Sequence, residues 1–155
     1  AAEAAARLHD FTLQGLANMA WAYATAIHAA PALLDAISAA VLPRLRDFDA
    51  QALANTAWAY AKAGHEAPAL LDAIAAVAAT RLRGFTPQGL ANTAWAYATA
   101  GHSAPALLDA ISVEGGKRMG EFNVQDRDSM AWAYATAGHE VPAWLDRGGS
   151  SEGAR

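Results

Sequence analysis

The sequence predicts an all-α protein, an αα-repeat solenoid of about four repeats of 37 residues and about eight helices. Three observations predict it. The block LANTAWAYATAGH at 90–102 returns as LANTAWAYAKAGH at 53–65, LANMAWAYATAIH at 16–28 and RDSMAWAYATAGH at 127–139. Trp21, Trp58, Trp95 and Trp132 stand 37 residues apart, and the same step relates Phe11, Phe48, Phe85 and Phe122, His28, His65, His102 and His139, and Pro31, Pro68, Pro105 and Pro142. The composition is 54% hydrophobic, much of it alanine, which favours helix and close helix packing. A fixed period of this length marks supersecondary units that must stack, because no single unit can bury its own apolar face.

Each unit opens with helix A. Thr12, Asp49, Thr86 and Asn123 carry side chains that accept from a free N–H of the first turn. Pro87 follows its cap at the first helical position, where the missing N–H costs nothing. Phe11 and Leu16, Phe48 and Leu53, and Phe85 and Leu90 have the spacing of a hydrophobic staple across the helix start. The spacing predicts helix A over roughly 13–26, 50–63, 87–100 and 124–137. Gly64, Gly101 and Gly138 stop it with a left-handed cap; Ile27 takes that place in the first unit.

Helix B starts at the prolines. Leu33, Leu34, Ile37 and Val41 have helical spacing. Asp35, Asp72, Asp109 and Asp146 lie near its start and arginines near its end, as the helix dipole prefers. Gly115-Gly116 predicts an early end or a bend in the third helix B. Residues 1–7 read as the end of a preceding repeat helix, residues 8–146 as the four-repeat array, and 147–155 as a disordered Gly/Ser-rich tail. The ragged start suggests a fragment of a longer array, or a mature form without its leader.

Composition narrows the function classes. The absence of cysteine excludes disulfides and thiolate metal sites. A net charge of −4 gives no bulk attraction to nucleic acid or to acidic membranes. No apolar run reaches the ~18 residues of a membrane helix. No cysteine nucleophile, glycine-rich phosphate loop or H-E-x-x-H motif is present, so the reading is that the chain is not an enzyme and needs no cofactor. Ser38 and Ser112 have Ala75 as their counterpart, a poor basis for activity. Metal binding through the repeated histidines fails on distance, since stacked helices lie ~8–10 Å apart and a zinc–imidazole bond is ~2 Å. A turn histidine bonding to helix-end carbonyls is the better account.

Binding is the class that remains. On a helical wheel Leu16, Ala20, Tyr23 and Ala24 form the core stripe of helix A. Gln14, Asn18 and Thr25 fall on the opposite side, with Trp21 beside them. The amides return as Gln51, Asn55, Gln88, Asn92 and Gln125, while Ser129 replaces the last asparagine and Lys62 stands in place of the threonine in the second unit. Such rows can hydrogen-bond base edges or a peptide backbone. They can equally bond to the neighbouring repeat and fix its stacking. A tryptophan in every unit either stacks on a base at the groove rim or, more ordinarily, forms inter-repeat core. Arg44 with Arg46, and Arg81 with Arg83, place paired cations at the junctions between units; Arg118 keeps half of the pattern. They suit phosphates, and helix-end charge pairing explains the first of each pair without a ligand.

The pattern F-[TDN]-x-Q-x-L-A-N-x-A-W-A-Y-A-x-A-G-H, with its following proline, resembles the octotricopeptide-repeat proteins of algal organelles. It is also similar to the related arrays found with RAP domains in algae and protists. VPAWL at 141–145 looks like that family's proline–tryptophan signature, where the other units have APALL. The resemblance implies an α-solenoid in the chloroplast or mitochondrion that binds single-stranded RNA, one repeat near one nucleotide. On that analogy Gln14, Asn18 and their counterparts face the RNA. The first reading is therefore an RNA-binding module of organellar gene expression, without DNA binding or membrane insertion. The rival is a protein–protein scaffold, an accessory subunit of a large photosynthetic or ribosomal assembly.

Overall fold

The structure is a computed structural model that describes residues 14–18 and 31–145. Residues 14–18 are helical, as the start of the first helix A requires. Six helices follow: α1 (Pro31–Val41), α2 (Ala50–Ala63), α3 (Pro68–Ala79), α4 (Pro87–Ala100), α5 (Pro105–Lys117) and α6 (Val124–Thr136). Short 3-10 turns at Leu42–Asp47, Leu82–Gly84 and Met119–Glu121 join each helix B to the next helix A. Among the described residues there is no strand. Trp21, Tyr23, Ile27 and His28, and the expectations for 1–7 and 147–155, lie outside the described residues.

The helices A (α2, α4, α6) pack on one another in sequence order, and so do the helices B α3 and α5. Alanine makes the close approach possible: Ala54, Ala57 and Ala61 on α2 and Ala91, Ala94 and Ala98 on α4 are all buried. Leu33, Leu34, Ile37 and Val41 form the buried stripe of α1, and Leu53 and Tyr60 that of α2. The chain is thus an all-α helical repeat with units stacked in order.

Local chemistry sets the helix ends. Asp49 Oδ1 accepts from Ala52 N at 2.8 Å, Thr86 Oγ1 from Gly89 N at 2.9 Å and Asn123 Oδ1 from Asp126 N at 2.7 Å. Each cap satisfies one orphan donor of the first turn. Phe48, Leu53, Phe85 and Leu90 are buried, as their staples demand. Gly64, Gly101 and Gly138 sit at φ +66°, +66° and +69°. There the backbone N–H of each following histidine reaches back to a tyrosine carbonyl, His65 N to Tyr60 O at 3.2 Å and His102 N to Tyr97 O at 3.1 Å, as a left-handed cap arranges. α6 ends at Thr136, one residue before the boundary that the spacing predicts.

A tyrosine and a histidine in each unit fasten it to the one before, and an arginine at the end of helix B ties back to the chain where its own helix A begins. Tyr60 Oη donates to Leu34 O at 2.6 Å and Tyr97 Oη to Leu71 O at 2.6 Å; Tyr134 Oη does the same to Leu108 O. His65 Nε2 pairs with Asp35 Oδ1 at 2.7 Å, His102 with Asp72 at 2.6 Å and His139 with Asp109 at 2.7 Å. Arg81 donates to Phe48 O at 2.7 Å and to Arg46 O at 2.5 Å, and Arg118 to Phe85 O at 2.7 Å. This corrects the histidine expectation. The ring bonds to an aspartate of the preceding helix B, not to helix-end carbonyls. The aspartates lie beyond the first turn of helix B, and the histidine is their partner there.

Gly115-Gly116 gives the second correction. α5 runs through both to Lys117 without an early end. The glycines make room. A Cβ on Gly115 would lie 2.5 Å from Trp144 Cζ2, and one on Gly116 3.2 Å from Trp144 Cδ1. Trp144 stands where other units have Leu33, Leu70 and Leu107, and Gly115 stands where they have Val41 and Ala78. A larger side chain on one helix B is matched by a smaller one on its neighbour, so the volume is conserved. The indole is held by Nε1 donating to Ser112 O at 3.0 Å and by the Phe122 ring at 5.2 Å.

Candidate functional site

Gln51, Asn55, Trp58 and Lys62 lie at i, i+4, i+7 and i+11 of α2, a single stripe along a helix. Gln88, Asn92, Trp95 and Thr99 repeat it on α4, and Gln125, Ser129, Trp132 and Thr136 on α6. The core stripe claims Leu53, Ala57, Tyr60 and Ala61, which are all buried. This second stripe therefore keeps an open aspect. Gln51, Gln88, Gln125 and Lys62 are exposed, and Asn55 and Asn92 are half-buried. Stacking of α2 on α4 and of α4 on α6 sets these stripes side by side as four rows.

The amides of α2 and α4 come together. Gln51, Asn55, Gln88 and Asn92 line one cleft of about 270 Å³, walled by Phe85, Thr86 and Gly89. Among the described residues none of the four side chains forms a hydrogen bond within the protein, so they do not fix the stacking of adjacent units by hydrogen bonding. That task falls to the tyrosine and histidine clamps. In the first unit Gln14 Nε2 donates to Asn18 Oδ1 at 3.0 Å, so that pair is closed on itself on its exposed side.

The tryptophans form a row of tilted rings. The Trp58 and Trp95 centroids are 6.3 Å apart at 30°, and those of Trp95 and Trp132 are 6.4 Å apart at 32°. Such offset pairs contribute ~0.5–1.5 kcal/mol beyond the area they bury. The inter-repeat packing expected of them is present, but Trp58 and Trp95 are half-buried and outside the fully buried core. Alanine neighbours explain this, because Ala54, Ala57 and Ala61 fill the closest approach and push the rings to its margin. Trp132 is 48% exposed. Lys62 Nζ lies 5.9 Å from the Trp58 centroid, within cation–π reach.

The arginines divide by role. Arg81 and Arg118 are spent on the Phe48 and Phe85 carbonyls at the start of their own units, and Arg44, at the same repeat position, is half-buried. Arg46 and Arg83 are exposed. Arg83 borders a different depression, with Thr80, Leu82, Ala110, Val113 and Glu114 between α3 and α5. Gly84, the next residue, borders the amide cleft. One loop thus separates the cation from the amides, and the two are not gathered into a single cleft.

The fourth unit departs from the pattern. Arg127 and Asp128 replace the Leu-Ala of 53–54 and 90–91. Arg127 donates through Nη2 to Met119 O, while its Nη1 is buried without a partner among the described residues. Asp128 is exposed where Ala54 and Ala91 are buried under the next helix.

The buried hydroxyls are held neutral. Burial, and after it the Asp35 carboxylate, push the Tyr60 hydroxyl well above the ordinary tyrosine range. Burial and then Asp72 do so for Tyr97, and burial and then Asp109 for Tyr134. These groups are clamps, and the role of their hydroxyls is what sequence reasoning missed. It placed Tyr23 and its counterparts in the core for their apolar bodies. Their partners lie 26 residues back, a spacing that becomes meaningful only once the units are stacked.

Among the described residues no three His, Asp or Glu side chains converge as a metal ion requires. None of the described helices is long and apolar enough to cross a membrane. In comparisons with known proteins, no family model and no curated protein matches the chain.

Proposed function

We propose that this chain is a single-stranded RNA-binding helical-repeat module, using the face made by the Gln, Asn, Trp and Lys/Thr rows. The observation that carries the reading is the set of carboxamides Gln51, Asn55, Gln88 and Asn92, gathered in one cleft without partners among the described residues. A carboxamide offers a donor and an acceptor side by side, and its natural complement is a base edge. The half-exposed tryptophans beside the asparagines supply apolar flanks for unstacked bases. Lys62, Arg46 and Arg83 are the exposed cations for phosphates. Catalysis and a cofactor play no part in this reading. The resemblance to octotricopeptide-repeat arrays points the same way, and it alone supports a place in chloroplast or mitochondrial gene expression.

Binding of the chain to a random single-stranded RNA pool at about 50 and about 200 mM salt tests this. With three phosphate partners the affinity falls with a log–log slope of about −2, taking ~0.7 per contact for single strands. Replacing Arg46 and Arg83 by alanine flattens that slope. Undetectable binding at the lower salt, or an affinity indifferent to salt, sinks the reading.

A protein partner is the second reading. It is favoured by the net charge of −4 and by the exposed apolar side chains Val124 and Trp132 on α6. Under it the chain serves as a scaffold in a larger organellar assembly, and the RNA titration returns no binding.

A further inference from the structure

We propose that the outer face of α6 docks a helix of another protein through an arginine, which lies against Trp132 and forks onto Asp128. This face is the end of the stack, not the amide cleft, and it serves whether or not RNA fills that cleft.

Val124, Asp128, Ala131, Trp132 and Ala135 stand at i, i+4, i+7, i+8 and i+11 of α6, a single stripe along the helix. On α2 the same positions are Ala50, Ala54, Ala57, Trp58 and Ala61, and there the stripe receives the next unit. Ala54, Ala57 and Ala61 are buried, and a Cβ built on Gly84 of that next unit would lie 3.9 Å from Ala50 Cβ. On α6 the stripe is largely uncovered among the described residues. Val124 is 62% exposed and Trp132 48%, and Asp128 and Ala135 are exposed as well. Continuity with the α2–α4 and α4–α6 contacts fits this face to a helix. Ala131 and Ala135 keep the close approach, and Trp95 packs on only one side of the Trp132 indole.

Asp128 decides which helix. Its carboxylate has no partner among the described residues, because the adjacent Arg127 turns back to Met119 O. A helix laid on the stripe takes water from that charge, a cost that a cation on the incoming helix offsets. A second copy of this chain, stacked as its own units stack, brings no such cation. Residues 13–26 and 87–100 hold neither lysine nor arginine, and the cation of 50–63 is Lys62, at the far end of its helix. The face therefore rejects end-to-end stacking of copies and selects a different protein.

Arginine suits the site better than lysine. Asp128 and Trp132 are one turn apart, with ~5–6 Å between Cβ atoms. A planar guanidinium spans that gap, lying on the indole while its N–H groups meet both carboxylate oxygens. An ammonium reaches one or the other. The net charge of −4 draws a cationic partner toward the chain.

The test uses alanine- and glutamine-based helical peptides of about 20 residues, long enough to hold a helix in water. They differ at one central position, which is arginine, lysine, glutamine or glutamate. Binding to the whole chain is followed by the indole N–H signal of Trp132, identified by its loss in Trp132→Phe. The arginine peptide should bind roughly five-fold tighter than the glutamine peptide, with lysine between them. Asp128→Asn should erase the preference. Asp128→Arg should turn it toward the glutamate peptide, a gain that a misfolded variant does not give. A preference that survives Asp128→Asn, or no binding of any peptide, overturns the proposal. Binding that begins only once Arg147 and Arg155 are replaced by alanine overturns it too, and assigns the face to residues 146–155 of this chain. Displacement of the arginine peptide by a uridine oligonucleotide gives the face to RNA instead.

Discussion

Tyr97 shows how a single repeated residue holds two units together. Its ring is buried in the helix A layer, and its hydroxyl reaches the Leu71 carbonyl of the preceding helix B at 2.6 Å. The neighbouring His102–Asp72 pair makes the same connection at the surface, with the aspartate side chain 73% exposed. Burial decides which matters more. Tyr97→Phe keeps the packing and removes one buried hydrogen bond, a loss of ~1 kcal/mol. Asp72→Asn weakens a solvated contact, which contributes ~0–1 kcal/mol. Urea midpoints should therefore fall more for Tyr97→Phe than for Asp72→Asn. Equal losses would overturn this ordering. Arg81 contributes differently again. Its planar fork spans the Phe48 and Arg46 carbonyls, a geometry that a lysine ammonium does not reproduce.

The third helix B shows an exchange between elements. Glycine inside a helix costs ~1 kcal/mol against alanine, yet α5 carries two in succession and continues past them. The cost is met by Trp144, which packs on their bare backbone and leaves only 6% of itself exposed. Gly115→Ala should destabilise the chain by ~1–3 kcal/mol through overpacking, since the indole is pinned by Ser112 and Phe122 and cannot retreat. In a Trp144→Leu background the same Gly115→Ala change should become stabilising by ~1 kcal/mol, as helix propensity alone then acts. A double-mutant cycle in urea checks this, and additivity of the two changes would refute the coupling. The exchange also marks what a single sequence conveys. Caps, staples and glycine stops act within a dozen residues, so the bounds of α2 and α4 were legible from Asp49, Thr86, Gly64 and Gly101. The Gly115–Trp144 match spans two helices, and a reader of the chain meets the glycines before the side chain that needs them. The amide rows were legible as a stripe. Their freedom from hydrogen bonds, and the separation of Arg83 from their cleft, depend on how stacked units turn their loops.

Across the whole molecule the tyrosine clamps form a series, one at each of three successive inter-unit contacts, Tyr60 on Leu34, Tyr97 on Leu71 and Tyr134 on Leu108. Stability in such an array is close to a sum over neighbouring contacts, so what acts on each clamp acts on the total. Alkali acts on all three. In the unfolded chain a tyrosine ionises near pH 10, while in the native array burial and a nearby aspartate hold each hydroxyl neutral to higher pH. Above pH ~10 the unfolded chain then binds fewer protons than the native one, and the free energy of unfolding must fall as pH rises. Each clamp contributes a slope of up to ~1.4 kcal/mol per pH unit. The stabilising effect is fully present below the unfolded value and is lost as pH climbs through the raised native one. Urea titrations at pH 9, 10 and 11 should show midpoints that hold and then drop steeply. Tyr97→Phe starts lower but has one titrating clamp fewer, so its midpoint should fall less steeply over the same interval, and the two curves should converge. Parallel curves would mean that the hydroxyls ionise alike in both states, and that the clamps do not govern how the array fails in alkali.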